Sequence, residues 1–244
     1  MKIAGKIVIV TGASSGIGLA TSNLLAKQGA RVVLVSRSKS KLKEISKKLP
    51  NSIFIAADMT KNNDITNMIK KTKKHFGRID VLINNAGQGY DASVEETNIN
   101  TFRKIFNLNV VGPLIAMQQV IPIMRQQKEG VIINISSGTA LMYLPNMSAY
   151  SSVKRALIGI SLTAREELKK DNISISVVYP FITKTDFEKN TIKHSKRTDL
   201  PEDNSDFKLP QADTADYIAE KIVDAIISKK AEIFAHEWMG KQVK

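Results

Sequence analysis

The chain contains no cysteine, which excludes disulfides and thiolate metal sites and suits a reducing interior. Histidine is scarce: His75, His194 and His236 lie far apart with no ligand-like spacing, so no metal site is expected. No window approaches the ~20 apolar residues of a membrane span. The opening "MKIAGKIVIVTG" holds too short an apolar run for a signal peptide, and a soluble, cytoplasmic protein is expected. No Pro/Gly-rich linker interrupts the 244 residues, of which 43% are apolar, enough for one domain with a sizeable core. Acidic residues are in deficit, 23 against 36 Lys+Arg, giving a net charge of +13. Such a balance could serve RNA or an anionic membrane. The basic residues are instead spread over helical faces such as "KSKLKEISKK" (39–48) and "KKTKKHFGR" (70–78), without the aromatic interleaving of a single-strand binder. They read as a solvated lysine-rich surface, with no nucleic-acid partner.

What is present is a regular alternation. Short β-branched runs at 6–10, 31–35, 53–56, 81–83, 131–135, 173–178 and, more weakly, 232–235 read as strands. Amphipathic patterns at 17–28, 41–48, 64–76, 98–126, 149–170 and 215–228 read as helices. Strict alternation implies a doubly wound α/β fold, a parallel sheet covered by helices on both faces. Such sheets bind ligands outside the carboxyl ends of their strands, so residues at strand ends carry the most weight.

Directly after the first strand stands "TGASSGIG". Gly12 is expected to turn the chain, Gly16 to let a pyrophosphate approach the backbone, and Gly18 to let the helix pack on the strand. The amides at the helix start, from Ile17 onward, favour a phosphate. Ser14 and Ser15 can cap the helix or bond the phosphates. At the end of the second strand, Ser36 stands where an NAD site offers a carboxylate to the adenosine ribose, and Arg37 follows it. A guanidinium in place of an anion suits a 2′-phosphate, so NADP(H) is expected over NAD(H).

"SAYSSVKRAL" places Tyr150 and Lys154 four residues apart on a helix, with β-carbons roughly 5–6 Å apart. A fixed cation near a phenol favours its ionised form. Alone, the spacing is commonplace. Further fragments fall at strand ends: "AADMT" (56–60), "NNAG" (84–87) and "NISS" (134–137). With "TGASSGIG" and "YSSVK" in this order, the chain resembles the short-chain dehydrogenase/reductase family from about residue 6 to residue 185.

That resemblance implies a Rossmann-like single domain and a catalytic tetrad of Asn109, Ser137, Tyr150 and Lys154. Tyr150 would be the general acid in carbonyl reduction, or as phenolate the base in alcohol oxidation. Lys154 would bond the nicotinamide ribose and, with the oxidised nicotinamide, lower the tyrosine pKa. Ser137 would hold the substrate oxygen. Asn109, a poor interior helix former, would sit at a local break and hold a water that relays protons to Lys154. For the cofactor, the resemblance maps Asp58 to the adenine amino group and the Met59 backbone to the ring. It maps Asn85, Ala86 and Gly87 to the adenosine ribose, and Pro180 and Thr183 to the nicotinamide side; Asn84 serves the sheet, and Asp58 has the alternative of capping the next helix. The long helices at 98–126 and 149–170 would pair into a homodimer or homotetramer.

The chain departs from the family in three places. Phe181 follows Pro180 where the family has glycine, which would displace the loop near the nicotinamide. Ser15 stands where many NADP-dependent members are basic, which leaves Arg37, with Lys39 or Lys41, to meet the 2′-phosphate. "AEIFAHEWMGKQVK" lacks the Asp-Gly-Gly of tetrameric members. Gln88, Gly89, Tyr90, residues 139–144, Met147, Phe181, Ile182 and Phe187 are candidate pocket residues, mostly apolar, suited to a small-molecule ketone or secondary alcohol. The polar stretch 186–212, with Lys189, Lys193, Lys196 and Arg197 ahead of Glu202, Asp203 and Asp206, is expected as a substrate lid. The rival expectations are a non-catalytic NADP(H) sensor, against which the intact Ser137, Tyr150 and Lys154 argue, and an RNA- or membrane-associated protein using the positive charge.

Overall fold

The computed structural model describes residues 1–194 and 211–241. In chain order the elements are β1 (Ile7–Thr11), α1 (Gly16–Lys27), β2 (Arg31–Ser36), α2 (Lys39–Lys48), β3 (Ile53–Ala56), α3 (Asn62–Phe76), β4 (Val81–Asn84) and β5 (Tyr90–Asp91). There follow α4 (Ile99–Phe106), α5 (Gly112–Gln127), β6 (Gly130–Ile135), α6 (Ser148–Glu167), β7 (Ile173–Tyr179), β8 (Ile192–Lys193), α7 (Ala215–Ser228), β9 (Glu232–Phe234) and α8 (Glu237–Gly240). Seven strands form one sheet in the order β3-β2-β1-β4-β6-β7-β9, every neighbouring pair parallel. β5 and β8 pair separately. The doubly wound α/β fold is therefore present, including the weakly patterned seventh strand.

The strands read as continuous apolar runs because both faces of the sheet are covered. Alternate residues go to opposite sides. Val8, Val10, Val32, Leu34, Ile83 and Ile133 pack beneath Leu25, Leu42, Ile218, Ile222 and Ile226 of α1, α2 and α7. Ile7, Ile9, Val33, Leu82, Ile132 and Ile175 pack against Ile65, Met68, Ala116, Met117, Val120 and Met124 of α3 and α5. Each fully buried aliphatic side chain contributes about 1.5–3 kcal/mol. The strand order reverses between β1 and β4, and the crevice at their carboxyl ends is the ligand-binding place of such sheets.

Local chemistry sets the element ends. α3 stops at Gly77, left-handed at φ 75°. Asn98 caps α4 by accepting the Thr101 N–H at 3.0 Å. The pattern at 98–126 is not one regular helix: α4 passes through a π-helical turn at Asn107–Val111 before α5, which puts Asn109 at the expected irregularity. This Ile99–Gln127 run is apolar and long enough by composition to cross a membrane, contrary to expectation. It lies on the sheet, with Ala116, Met117, Val120 and Met124 buried. α6 ends at Glu167 rather than 170, and a separate 3-10 turn at Lys169–Asp171 carries the chain into β7.

Under the amino ends of the strands, Asp80 is 2% exposed and accepts the Ile7 N–H at 2.8 Å. Arg78 donates to both its oxygens, at 3.0 and 3.2 Å from Nε and 2.6 Å from Nη2, and Lys6 lies 3.6 Å away. The Asp80 backbone pairs with Ile7 on one side and Val131 on the other, so this residue joins β1, β4 and β6.

Candidate active site

The chemistry-bearing side chains converge at the carboxyl ends of the strands. β6 delivers Ser136 and Ser137, and hydrogen bonds from Ser136 N to Val178 O (2.8 Å) and Gly138 N to Pro180 O (2.7 Å) tie this exit to the end of β7. α6 starts at Ser148 and buries Ala149, Val153 and Leu157, carrying Tyr150 and Lys154 inward with them. Tyr150 is 6% and Lys154 4% exposed. The Lys154 Nζ donates to the Ile135 carbonyl at 2.9 Å and lies 5.7 Å from the centroid of the Tyr150 ring.

Burial dominates the electrostatics. It pushes the Tyr150 phenol well above its ordinary value, while the Ser137 hydroxyl beside it works in the other direction. The Lys154 ammonium lies over the ring, bonded to a carbonyl, and in the protein alone desolvation of the phenolate outweighs the Ser137 bond. Burial also pushes Lys154 down to about 8, so it remains mostly cationic at neutral pH.

Asn109 completes the cluster. Its Nδ2 donates to Ile105 O at 2.9 Å and Gln88 O at 3.1 Å, while its buried Oδ1 has no partner among the described residues. A Cβ placed on Gly87 would stand 2.7 Å from that oxygen and 3.4 Å from the Lys154 Nζ. The three groups thus share one corner. Gly87→Ala is expected to displace Asn109 and lower turnover by about tenfold, with little effect on folding, since the clash is with side-chain atoms; steady-state kinetics alongside urea unfolding separates the two.

The glycine loop fits a dinucleotide phosphate. Gly12 has φ +69°, and a Cβ there would meet the Asn85 amide nitrogen at 2.8 Å. At Gly18 a Cβ would collide with the Gly12 carbonyl, so helix and loop touch as expected. α1 begins at Gly16, with Ser15 at the cap position and its side chain unengaged there, so the first amides face the loop. Asn85 holds this loop: Nδ2 donates to Thr11 O at 2.9 Å, and the Asn85 and Ala86 amides donate to the Thr11 hydroxyl at 3.0 and 3.1 Å. Asn84 bonds Asn134 across β4 and β6 at 2.8 Å, a sheet contact. Thr185 packs its methyl 3.1 Å from the Cβ position of Gly16, bringing the loop after β7 onto the glycine loop.

At the end of β2 Arg37 is exposed beside Ser36, whose buried hydroxyl has no partner among the described residues. Asp58 accepts the N–H and hydroxyl of Thr60 at 2.9 and 2.7 Å. It therefore forms a local turn and does not cap α3, whose N-cap is Lys61. Burial raises the Asp58 pKa, but the Thr60 bonds and the charges of Arg37 and Lys61 together hold it below the usual carboxylate value. The Met59 carbonyl sits against Gly112 at the start of α5.

Phe181 keeps an ordinary backbone conformation. It is absent from the residues with positive φ, so it needs no glycine conformation. Its ring rests where a side chain on Gly138 would be and packs edge-on against Trp238 at 5.2 Å. Thr183 bridges to Asp213 and donates its hydroxyl to Phe181 O at 3.0 Å. Asp213 in turn meets His236 at 3.1 Å.

Among the candidate pocket residues, Phe187 faces Tyr150 with ring centroids 5.9 Å apart, and Thr139 contacts Ser137. Tyr90 belongs to the core instead. It is fully buried, its hydroxyl between the Asn98 N–H (2.8 Å) and His194 Nδ1 (3.1 Å). Tyr143 points to solvent, 91% exposed, with the Arg155 guanidinium over its ring. Of the expected lid, 195–210 lies outside the described residues, as do Lys196, Arg197, Glu202, Asp203 and Asp206.

A glycine-loop cradle at the sheet's reversal point, with a buried phenol and ammonium and a half-buried hydroxyl beyond it, is the arrangement of a nicotinamide-dinucleotide oxidoreductase. Residues 6–196 match the short chain dehydrogenase family, and the chain belongs to the short-chain dehydrogenase/reductase family. It is 32% identical over 191 residues to an uncharacterized oxidoreductase of Staphylococcus epidermidis, covering 78% of this chain and 83% of that one. It is also 32% identical over 204 residues to the 3-oxoacyl-(acyl-carrier-protein) reductase of Thermotoga maritima, covering 82% and 83%. The fold matches a short chain dehydrogenase/reductase from Burkholderia phymatum in complex with NAD at a TM-score of 0.86 and 21% identity, over 100% of this chain and 93% of that one.

Proposed function

We propose that the protein is an NADP(H)-dependent carbonyl reductase or alcohol dehydrogenase acting on a largely apolar small molecule. The observation that carries this is the burial of Tyr150 and Lys154 side by side next to Ser137, with Asn109 Oδ1 turned into the same corner. A nicotinamide bound there supplies or accepts the hydride. Tyr150, kept protonated by its surroundings, gives its hydrogen to a carbonyl oxygen that Ser137 holds in reach, and in the reverse direction takes one from an alcohol. Lys154 holds the ribose hydroxyls, and Asn109 links it to the proton relay. Gly12, Ser14, Ser15, Gly16, Ile17 and Gly18 receive the pyrophosphate; Asp58 and Met59 the adenine; Ala86, Gly87 and the Asn85 backbone the adenosine ribose; Pro180 and Thr183 the carboxamide.

The preference for NADP(H) rests on Ser36 and Arg37, since a structural neighbour with 21% identity holds NAD and speaks only for the fold. Arg37→Asp is expected to weaken NADPH binding by about 10–100-fold, the loss of a charge-assisted bond to phosphate, and to leave NADH nearly unchanged. Titrating cofactor fluorescence with each reads this out, and equal losses would remove the case for 2′-phosphate recognition. The name of the Thermotoga relative, a 3-oxoacyl reductase, supports a ketone substrate. A homodimer or homotetramer is supported by the groove on α4 and the π turn, where Phe102, Phe106 and Val111 stand among Arg103, Lys104 and Asn107, with Ile99 exposed nearby.

A further inference from the structure

Ser137 has two lone pairs and one hydrogen to place. Its Oγ accepts the Thr139 N–H at 3.2 Å and the Thr139 hydroxyl at 3.0 Å. Both lone pairs are thereby engaged, and the serine hydrogen is left to point outward, to the side where Tyr150 lies. Thr139 is well placed to enforce this. It sits in the 3-10 turn Gly138–Leu141, which Ser137 caps. Arg155, next to Lys154 on α6, grips that turn by donating Nε to Ala140 O at 2.7 Å and Nη2 to Met142 O at 2.9 Å. The β-branch of threonine limits its rotamers, so the hydroxyl stays on the serine.

We infer that Thr139 is a positioning residue that makes Ser137 a hydrogen-bond donor toward the Tyr150 oxygen and the substrate oxygen. This rests on the oxidoreductase function proposed above. A donor at Ser137 stabilises the phenolate and any oxygen gaining negative charge, whereas a serine donating to Thr139 would offer those oxygens only lone pairs. Donation from Thr139 polarises the serine and strengthens its own donated bond.

Neutron diffraction from a deuterium-exchanged crystal tests the assignment without any assay, so its result stands even if the proposed activity fails. The Ser137 deuteron should point toward Tyr150 and the Thr139 deuteron toward Ser137; a Ser137 deuteron on the Thr139 oxygen would overturn the inference. Kinetics supply the second arm, with a carbonyl–alcohol pair that the wild-type protein turns over. Thr139→Val should lower kcat about 5–10-fold, the worth of one neutral hydrogen bond, with KM for the cofactor unchanged. Thr139→Ser should restore kcat to within about twofold. The bond from Ser137 favours the ionised phenol, so weakening it raises the Tyr150 pKa and shifts the rising limb of alcohol oxidation to higher pH in the valine variant. A threonine that only supports the turn would not move that limb. A valine variant with wild-type kcat and limb, or a serine variant as impaired as valine, would also overturn the inference.

Discussion

Tyr150→Phe is expected to lower kcat for both reduction and oxidation by about 10²–10⁴-fold, the usual contribution of a positioned acid or base. The hydroxyl is the only atom removed. Tyr150 is buried among Ala149, Val153 and the other apolar neighbours of its cluster, and phenylalanine fills the same space, so the fold and the cofactor's Kd should change little. Stopped-flow mixing of the variant with NADPH and a ketone separates the two effects, and near-normal turnover with intact binding would remove Tyr150 from the chemistry. Because burial holds the phenol protonated, carbonyl reduction should keep its rate as pH rises through neutrality. Alcohol oxidation, which needs the phenolate, should still be accelerating at the alkaline end of the range. The opposite order of the two limbs would contradict the acid and base roles.

The second large effect concerns stability. Asp80→Ala leaves the Ile7 N–H without its acceptor beneath the sheet and removes the partner of Arg78. Breaking a buried charged pair costs 3–5 kcal/mol, but Arg78 is 48% exposed and regains water, so about 2–3 kcal/mol is expected. Asp80→Asn keeps an acceptor for Ile7 and should lose roughly half as much. Urea unfolding reads both. Equal losses in the two variants would assign the effect to the charge rather than to the hydrogen bond that joins the strands.

The sheet was legible in the sequence because parallel strands buried on both faces appear as unbroken apolar runs, and the helices between them repeat with their own period. β5 and β8, two residues each, carry no period at all. Asn109 drew notice as a poor helix former, but the π turn that holds it and the Ile105 and Gln88 carbonyls that its side-chain amide meets are set by the folded backbone. Asn109, Ser137, Tyr150 and Lys154 were singled out by family motifs on a helix, a strand end and a helix break, but the state of these groups could not be read that way: the raised pKa of Tyr150 arises from what surrounds it in space. Phe181 shows the same division. Residue by residue it looked like a misfit for a glycine, and its solution lies in Gly138 and Trp238, far apart in the chain. Tyr90 was counted among the mostly apolar candidate pocket residues, and only the positions of Asn98 and His194 assign it to the interior.

Trp238 is the sole tryptophan of the chain. Its indole leans on Phe181, and Phe181 covers Gly138, the residue directly after Ser137. Any shift of the segment between Pro180 and Thr183 must therefore alter the packing around a single intrinsic fluorophore. Emission from the unlabelled protein then reports that movement from one location, with no second indole to confuse the signal.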